Sequence, residues 1–241
     1  PTRRSSDLEV KAEKKTEKPK KAPKPKAPVE LKDYGFVAVC MGKGITNILK
    51  DLGVDRVIEG GQTMNPSTDD ILKAVKRVKA KTVYVFPNNK NIIMAANQAA
   101  ELVEDKKIVV IPSKSVPQCI SAMVEFNDKK SAEANEKAMN KAIGRVTSGQ
   151  LTYAVRDTEI DGIEIKKDDI LGMVEGKIVT VGKDIDDVLN RVVSQMVDED
   201  TEFLNVYYGK EIKKPQADVM LKALETKYAD DEIEVSFKKG G

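Results

Sequence analysis

The chain has 241 residues, enough for one large domain or two small ones. It carries no histidine, which removes His general bases, Ser-His-Asp triads and His-ligated metals; its two cysteines, Cys40 and Cys119, have no CxxC spacing and are too few for a cysteine-only zinc site. The formal charge of +2 hides a split: residues 1–32 hold 11 basic and 5 acidic side chains, and the remainder holds 30 basic and 34 acidic ones, so the body is mildly acidic, which argues against a nucleic-acid-binding face.

The first 32 residues read as a disordered linker. Residues 9–30 run EVKAEKKTEKPKKAPKPKAPVE, a Lys/Pro/Ala composition with too little apolar bulk to offset the entropy of ordering. The alternative for the same run is a polybasic anchor to anionic lipid or nucleic acid. The chain starts at Pro1 without a Met, and a linker at a chain start leads us to expect a fragment whose upstream domain is missing. The end at KKGG, straight after a strand, raises the same expectation for the other terminus. No run of 18 apolar residues occurs, so no membrane-spanning helix is expected. Free cysteines in a chain of this length fit a reducing, cytoplasmic setting.

Residues 33–128 are expected to form a first α/β lobe. Four apolar stretches read as strands: Phe36–Met41, Val54–Ile58, Thr82–Phe86 and Lys107–Ile111. A helical stretch follows each, and strand–helix–strand alternation requires crossovers and therefore parallel strands. Ser67 with Asp70 forms a variant capping box ahead of Ile71, Leu72, Val75 and Val78 on one helix face. Asn91–Val103 repeats the pattern with small alanines.

Residues 129–241 are expected to form a second, mixed α/β lobe. Ser131 opens a helix with Ala134, Ala138, Met139, Ala142 and Val146 inward. Strands follow at Leu151–Val155, Ile170–Val174 and Lys177–Val181, the last two joined by a tight turn at Glu175-Gly176. A helix starts at Asp184, a strand spans Phe203–Tyr208, Pro215 sits in the first turn of a helix, and a last strand carries Ile233, Val235 and Phe237.

The loops after the four parallel strands converge on the carboxyl edge of one sheet, where open α/β sheets bind ligands. MGKGI from Met41 offers Gly42 and Gly44, a partial dinucleotide fingerprint whose third glycine position holds Asn47. Its glycines serve either turn geometry or an anion at a free helix N-terminus. EGGQTMNPST offers Gly60 and Gly61 for close backbone approach, then Gln62, Thr63, Met64 and Asn65 as polar and adaptable contacts. PNNKN places Asn88, Asn89, Lys90 and Asn91 beside it, with Lys90 as the cation for an anionic partner. PSKSVPQ adds Ser113, Lys114, Ser115 and Gln118. Cys119 reads as a core residue rather than a nucleophile. Further on, YAVRDTEIDG clusters Arg156, Asp157, Glu159 and Asp161, either as acid/base or metal chemistry or as a solvated turn. No residue is singled out as catalytic and no metal ligand set is evident.

GGQTMNPST, PNNKNI, IPSKSVPQ and TYAVRDTEIDG, in that order, closely resemble the C-terminal domain of the large subunit of bacterial fatty acid kinase. That family is DhaL-containing and dihydroxyacetone-kinase-like. The resemblance covers residues 34–241. It implies an ATP- and magnesium-binding DhaL-type domain upstream of this chain, a middle domain, and a DegV-like fold for this part. It also implies a fatty acid presented for phosphorylation, toward phospholipid synthesis, by a separate DegV-like fatty-acid-binding protein, which this domain docks. On that reading this chain alone is inactive and needs no cofactor. Contacts fall at Gly60–Asn65, Asn88–Asn91 and Arg156–Asp157, and any homodimer forms through the missing upstream domains. Two competing readings are a kinase-like enzyme or binding domain for a small phosphorylated or hydroxylated, dihydroxyacetone-like compound, and a module that itself holds an acyl chain.

Overall fold

Four parallel strands organise the first half of the chain. In a computed structural model, residues 31–61, 64–160 and 162–241 are described; the linker reading up to residue 30, Gln62, Thr63 and Asp161 lie outside them, and Lys32, the last residue of the expected linker, already pairs in the first strand. The strands are β1 (Lys32–Cys40), β2 (Arg56–Glu59), β3 (Ala80–Phe86) and β4 (Lys107–Val110), in spatial order β2-β1-β3-β4. All three pairings are parallel, as the alternation of elements demands. Residues Phe36–Cys40 are buried without a break, because helices cover both faces of the sheet.

The two faces take alternate residues of each strand. Phe36, Ala38, Cys40, Tyr84, Phe86 and Val109 point to one face, under α1 (Lys43–Asp51), α4 (Val116–Glu125) and α5 (Ala132–Ile143). Val37, Val39, Val83 and Val85 point to the other, under α2 (Thr68–Arg77) and α3 (Ile93–Glu101). The α2 capping box is complete: the Ser67 hydroxyl accepts from Asp70 N and the Asp70 carboxylate accepts from Ser67 N. On α3, Ala96 and Ala99 are buried, and their small side chains let the helix lie close to the sheet.

Ser131 caps α5 as expected, but the inner face differs from the sequence reading. Ala134 is exposed and Asn135 is wholly buried in its place. Its carboxamide accepts from Asn127 N (3.0 Å) and donates to Asn127 O (2.8 Å) and Lys130 O (3.3 Å). The turn before the helix needs a partner for its own backbone groups, and that need sets which side chain turns inward. Met139 of α5 enters the same core as α4.

The rest of the chain forms β5 (Gly149–Tyr153), a hairpin of β6 (Thr158–Ile160) and β7 (Ile163–Ile165), β8 (Ile170–Val174), β9 (Lys177–Gly182), α6 (Ile185–Met196), β10 (Phe203–Tyr208), α7 (Lys214–Lys227) and β11 (Glu234–Lys239). Strands β5-β8-β9 are antiparallel, and β10 and β11 pair in parallel across α7. Glu175 (φ 49°) and Gly176 (φ 78°) are both left-handed, which a two-residue hairpin turn matched to strand twist requires. Glu175 is anchored there, since its carboxylate accepts from Ser148 N at 2.6 Å. Helix α6 buries Val188 and Val192 against this sheet and Leu189 and Val193 against the core of β10, β11 and α7.

Candidate functional site

Strands β1 and β3 are neighbours, yet the helices that follow them go to opposite faces, α1 to one and α3 to the other. This is the switch point at which open α/β sheets form a crevice. Three strand ends are stitched together here by Asn88. Its Nδ2 donates to Val39 O of β1 (2.9 Å), and its backbone N donates to Ser113 Oγ (3.2 Å) beyond β4. The Ser113 hydroxyl donates back to Asn88 Oδ1 (2.6 Å). Asn88 has φ 56°, a conformation asparagine tolerates better than other residues with a Cβ. Asn89 is buried and its Oδ1 accepts from Asn91 N (2.9 Å). Two of the three asparagines around Lys90 therefore serve the frame, and Lys90 and Asn91 face outward.

The glycines of MGKGI have a different task from binding an anion. The backbone of Lys239–Gly241 lies against them: a Cβ on Gly44 would stand 2.8 Å from Lys239 C and 3.1 Å from Gly240 C. Ile45 N, at the start of α1, donates to Gly240 O at 3.1 Å. The start of the helix meets the chain's own carbonyl, which supports the turn-geometry reading of these glycines over the anion-site alternative. The residues present do not fit a nucleotide phosphate at this position.

After β2, Gly60 N donates to Cys40 O (3.1 Å) and Gly61 N to Met64 O (3.0 Å). Gly60 is buried, with Met64 O and Pro66 Cδ each 2.8 Å from where a Cβ would be, so a side chain here would collide with Met64 and Pro66. Met64 and Asn65 are left exposed. After β4, the Ser115 hydroxyl meets that of Ser148 (2.7 Å), and the Gln118 side chain accepts from Lys114 N (2.7 Å).

What remains outward at this edge is a mixed surface. Met41, Met64 and Met94 are exposed, and so are Lys43, Lys90 and Lys114, which form no ion pair among the described residues. Flexible thioethers flanked by cations suit an apolar contact with an acidic border. Sequence reasoning passed over Met41 and Met94. Met94 was open to detection: it stands two residues from Ile92 and from Ala96, off the buried stripe of its helix.

Arg156 and Asp157 are not brought to this rim. They follow β5, whose opposite end, at Ser148, is the one that touches Ser115; the five-residue strand between spans about 15 Å. Asp157 Oδ1 accepts from Lys167 N at 2.7 Å, which ties the segment before β6 to the one after β7.

The thiols of Cys40 and Cys119 are buried beneath the rim. Burial pushes Cys119 up to about 12, against the hydrogen bond from Asn88. Burial also raises Cys40, with Thr46 opposing and Glu59 adding to the rise. Neither is poised as a nucleophile. Among the described residues no group of three or more Cys, Asp or Glu is placed to hold a metal ion.

A family model for the C-terminal part of FakA-like fatty acid kinase proteins matches residues 35–241. The chain belongs to this FakA-like family. It is 47% identical over 208 residues to protein YloV of Bacillus subtilis, covering 86% of this chain and 37% of YloV. It is 44% identical over 212 residues to an uncharacterized protein of Staphylococcus aureus strain USA300, covering 88% and 38%. The chain thus spans less than two-fifths of the length of these relatives. All four strand-end loops of the family domain lie within the matched region, and no described helix is long and apolar enough to cross a membrane.

Proposed function

We propose that this fatty acid kinase family domain is a non-catalytic docking module. Its partner is an acyl-loaded, DegV-like fatty-acid-binding protein whose fold it shares, held for phosphorylation by a DhaL-type domain elsewhere in the parent protein. ATP and magnesium belong to that other domain, and the complex works in the cytoplasm. The observation that carries this reading is the carboxyl edge itself. Its buried polar groups are paired with each other, its helix N-terminus is filled, and what it offers outward is Met41, Met64 and Met94 with Lys43, Lys90 and Lys114. Exposed, flexible apolar side chains flanked by cations favour binding to a protein over binding to a small substrate.

Isothermal titration of the 241-residue chain with a DegV-like protein loaded with a long-chain fatty acid tests the proposal. Saturable heat that weakens with salt is expected, together with a loss of about tenfold or more in affinity for Lys90→Glu combined with Lys114→Glu. No heat from this chain, while the full-length parent protein binds the same partner, counts against it.

A further inference from the structure

Helix α6 packs against the β5-β8-β9 sheet on one side and against α7 on the other. An open groove of about 510 Å³ runs along it, lined mainly by Thr180 of β9, by Asn190, Arg191, Ser194 and Gln195 of α6, and by Lys227 at the end of α7. The Lys227 ammonium donates to Ser194 Oγ (2.8 Å) and stands 5.1 Å from the centre of the Tyr228 ring. Both partners are neutral, and Lys227 forms no ion pair among the described residues. Arg191 lies one turn before Ser194. Its Nε donates to Asp187 Oδ1 (3.1 Å), its Nη2 meets Asp187 Oδ2 (2.7 Å), and its Nη1 donates to the hydroxyl of buried Thr180 (3.4 Å). Asp187 balances Arg191, so the charge on Lys227 is left over at the groove.

We infer that this groove is a binding site for the phosphate group of a small phosphate monoester. The Ser194 hydroxyl already donates to Asn190 O (2.8 Å), so it meets Lys227 with a lone pair and holds the ammonium in place before any ligand arrives. The face of the Tyr228 ring steadies the same charge. An ammonium has three N–H groups, and only one is spent on Ser194. A guanidinium has five, of which Asp187 and Thr180 take three. The donors left over, with the exposed Gln195 carboxamide beside them, suit a group with three acceptor oxygens and a double charge. A carboxylate has fewer oxygens and half that charge. Strand β9 is the end of its sheet, but long cations along such an edge discourage a foreign strand from pairing with it, which leaves a small anion as the occupant. The groove has the size of a small-ligand site and exceeds one phosphate, so the esterified part lies along it. This inference goes beyond the docking proposal and uses none of the rim residues, so either can fail alone.

Amide NMR titration of the isotope-labelled 241-residue chain tests it. The probes are inorganic phosphate and glycerol phosphate, each compared with sodium chloride at matched ionic strength. They run from about 0.1 to about 20 mM, as suits a contact made by a few charged groups. Saturable shifts are expected at Asn190 to Gln195 and at Lys227, with the ester held more tightly than free phosphate. Lys227→Gln keeps the stem, removes the charge and lowers the affinity for both probes about tenfold or more. Lys222→Gln, exposed on the same helix but outside the groove, changes it by less than about twofold. Both are surface changes, and far-ultraviolet circular dichroism checks that each variant is folded. Shifts that sodium chloride reproduces, or that do not saturate, mean an adventitious ion only and overturn the inference. So do shifts confined to Lys43, Lys90 and Lys114 at the rim, an equal loss of affinity in the two variants, or an ester held more weakly than free phosphate.

Discussion

Replacing Gly44 by alanine isolates the contact between the start of α1 and the end of β11. Gly44 lies inside the helix, and an alanine there gains about 1 kcal/mol of helix propensity over glycine. On local grounds the variant is more stable. The surroundings reverse the sign. The new Cβ meets the Lys239 carbonyl group and Gly240 C, both backbone, so no flexible side chain can swing away. The segment 239–241 has to lift, which breaks the Ile45 N to Gly240 O hydrogen bond, worth about 1 kcal/mol net. It also uncovers part of Ile45, now 7% exposed, and losing about half of its burial costs about 1–1.5 kcal/mol. Further overpacking strain of about 1 kcal/mol follows where the lift is incomplete. The balance is a destabilisation of about 2–2.5 kcal/mol, or a fall in Tm of about 4–10 °C for a chain of this size. Gly53→Ala is the companion measurement. Nothing lies within 4 Å of its Cβ position, but its φ is +100°, so about 1 kcal/mol is lost to backbone strain alone. Urea unfolding of both variants reads the two mechanisms. A Gly44→Ala chain as stable as the parent, or more so, refutes the account of α1 as capped by residues 239–241.

Three further variants probe the buried polar frame. Asn88→Ala loses the bonds to Val39 and Ser113 and strains a left-handed residue, so a loss of about 2–4 kcal/mol is expected in urea unfolding, and Asn88→Gly, which relieves the strain, loses less. Asn135→Ala leaves Asn127 N without its acceptor, while Asn127 O keeps Lys130 N and Lys130 O keeps the Tyr34 hydroxyl, so a cost of about 1–3 kcal/mol is expected by the same measurement. For Cys119, the folded thiol keeps its proton up to about pH 12, while its ordinary value is 9.0; stability from this group is complete below pH 9 and lost as pH rises toward 12. Base unfolding curves of the parent should fall more steeply over that window than those of Cys119→Ala, by up to about 1.4 kcal/mol per pH unit. In the native chain at about pH 8, iodoacetamide should label Cys40 before Cys119, which is wholly buried.

The parallel sheet was legible because its signals are redundant. The strands β1, β3 and β4 each contain a near-continuous apolar run, the helices carry stripes, and the order of elements fixes the direction of every strand, the short β2 included. The Ser67–Asp70 cap and the Glu175–Gly176 turn could be read because they are local, made by residues a few positions apart. The β6–β7 hairpin could not. Its strands have three residues each, too few to establish a period: every residue of β6 is exposed, and β7 turns only Ile163 and Ile165 inward around exposed Glu164. The inversion of Ala134 and Asn135 had a similar cause. Helical spacing ranks alanine above asparagine for burial, and the opposite outcome depends on unpaired backbone groups in the preceding turn, which no period records.

The candidate site shows where local reading stops. Topology was enough to gather Gly60, Gly61, Met64 and Asn65 with Asn88–Asn91 at one edge. It was not enough to decide which of them face a partner. Polar side chains in a loop satisfy either the loop or a ligand, and the choice is made by groups distant in sequence: Val39 and Ser113 claim Asn88, and Gly240 claims the amide at the start of α1. Each such claim removes a group from binding and stiffens the loops that display the remainder. The outward set, methionines and lysines, is then carried on a frame whose bonds do not need to break when a partner arrives. That division makes the tests separable: altering Lys90 or Met94 should change association with little change in unfolding, whereas altering Asn88 should change unfolding first. If Lys90→Glu and Asn88→Ala lower stability alike, the edge is one cooperative structural unit, and the assignment of its exposed residues to a partner loses its physical basis.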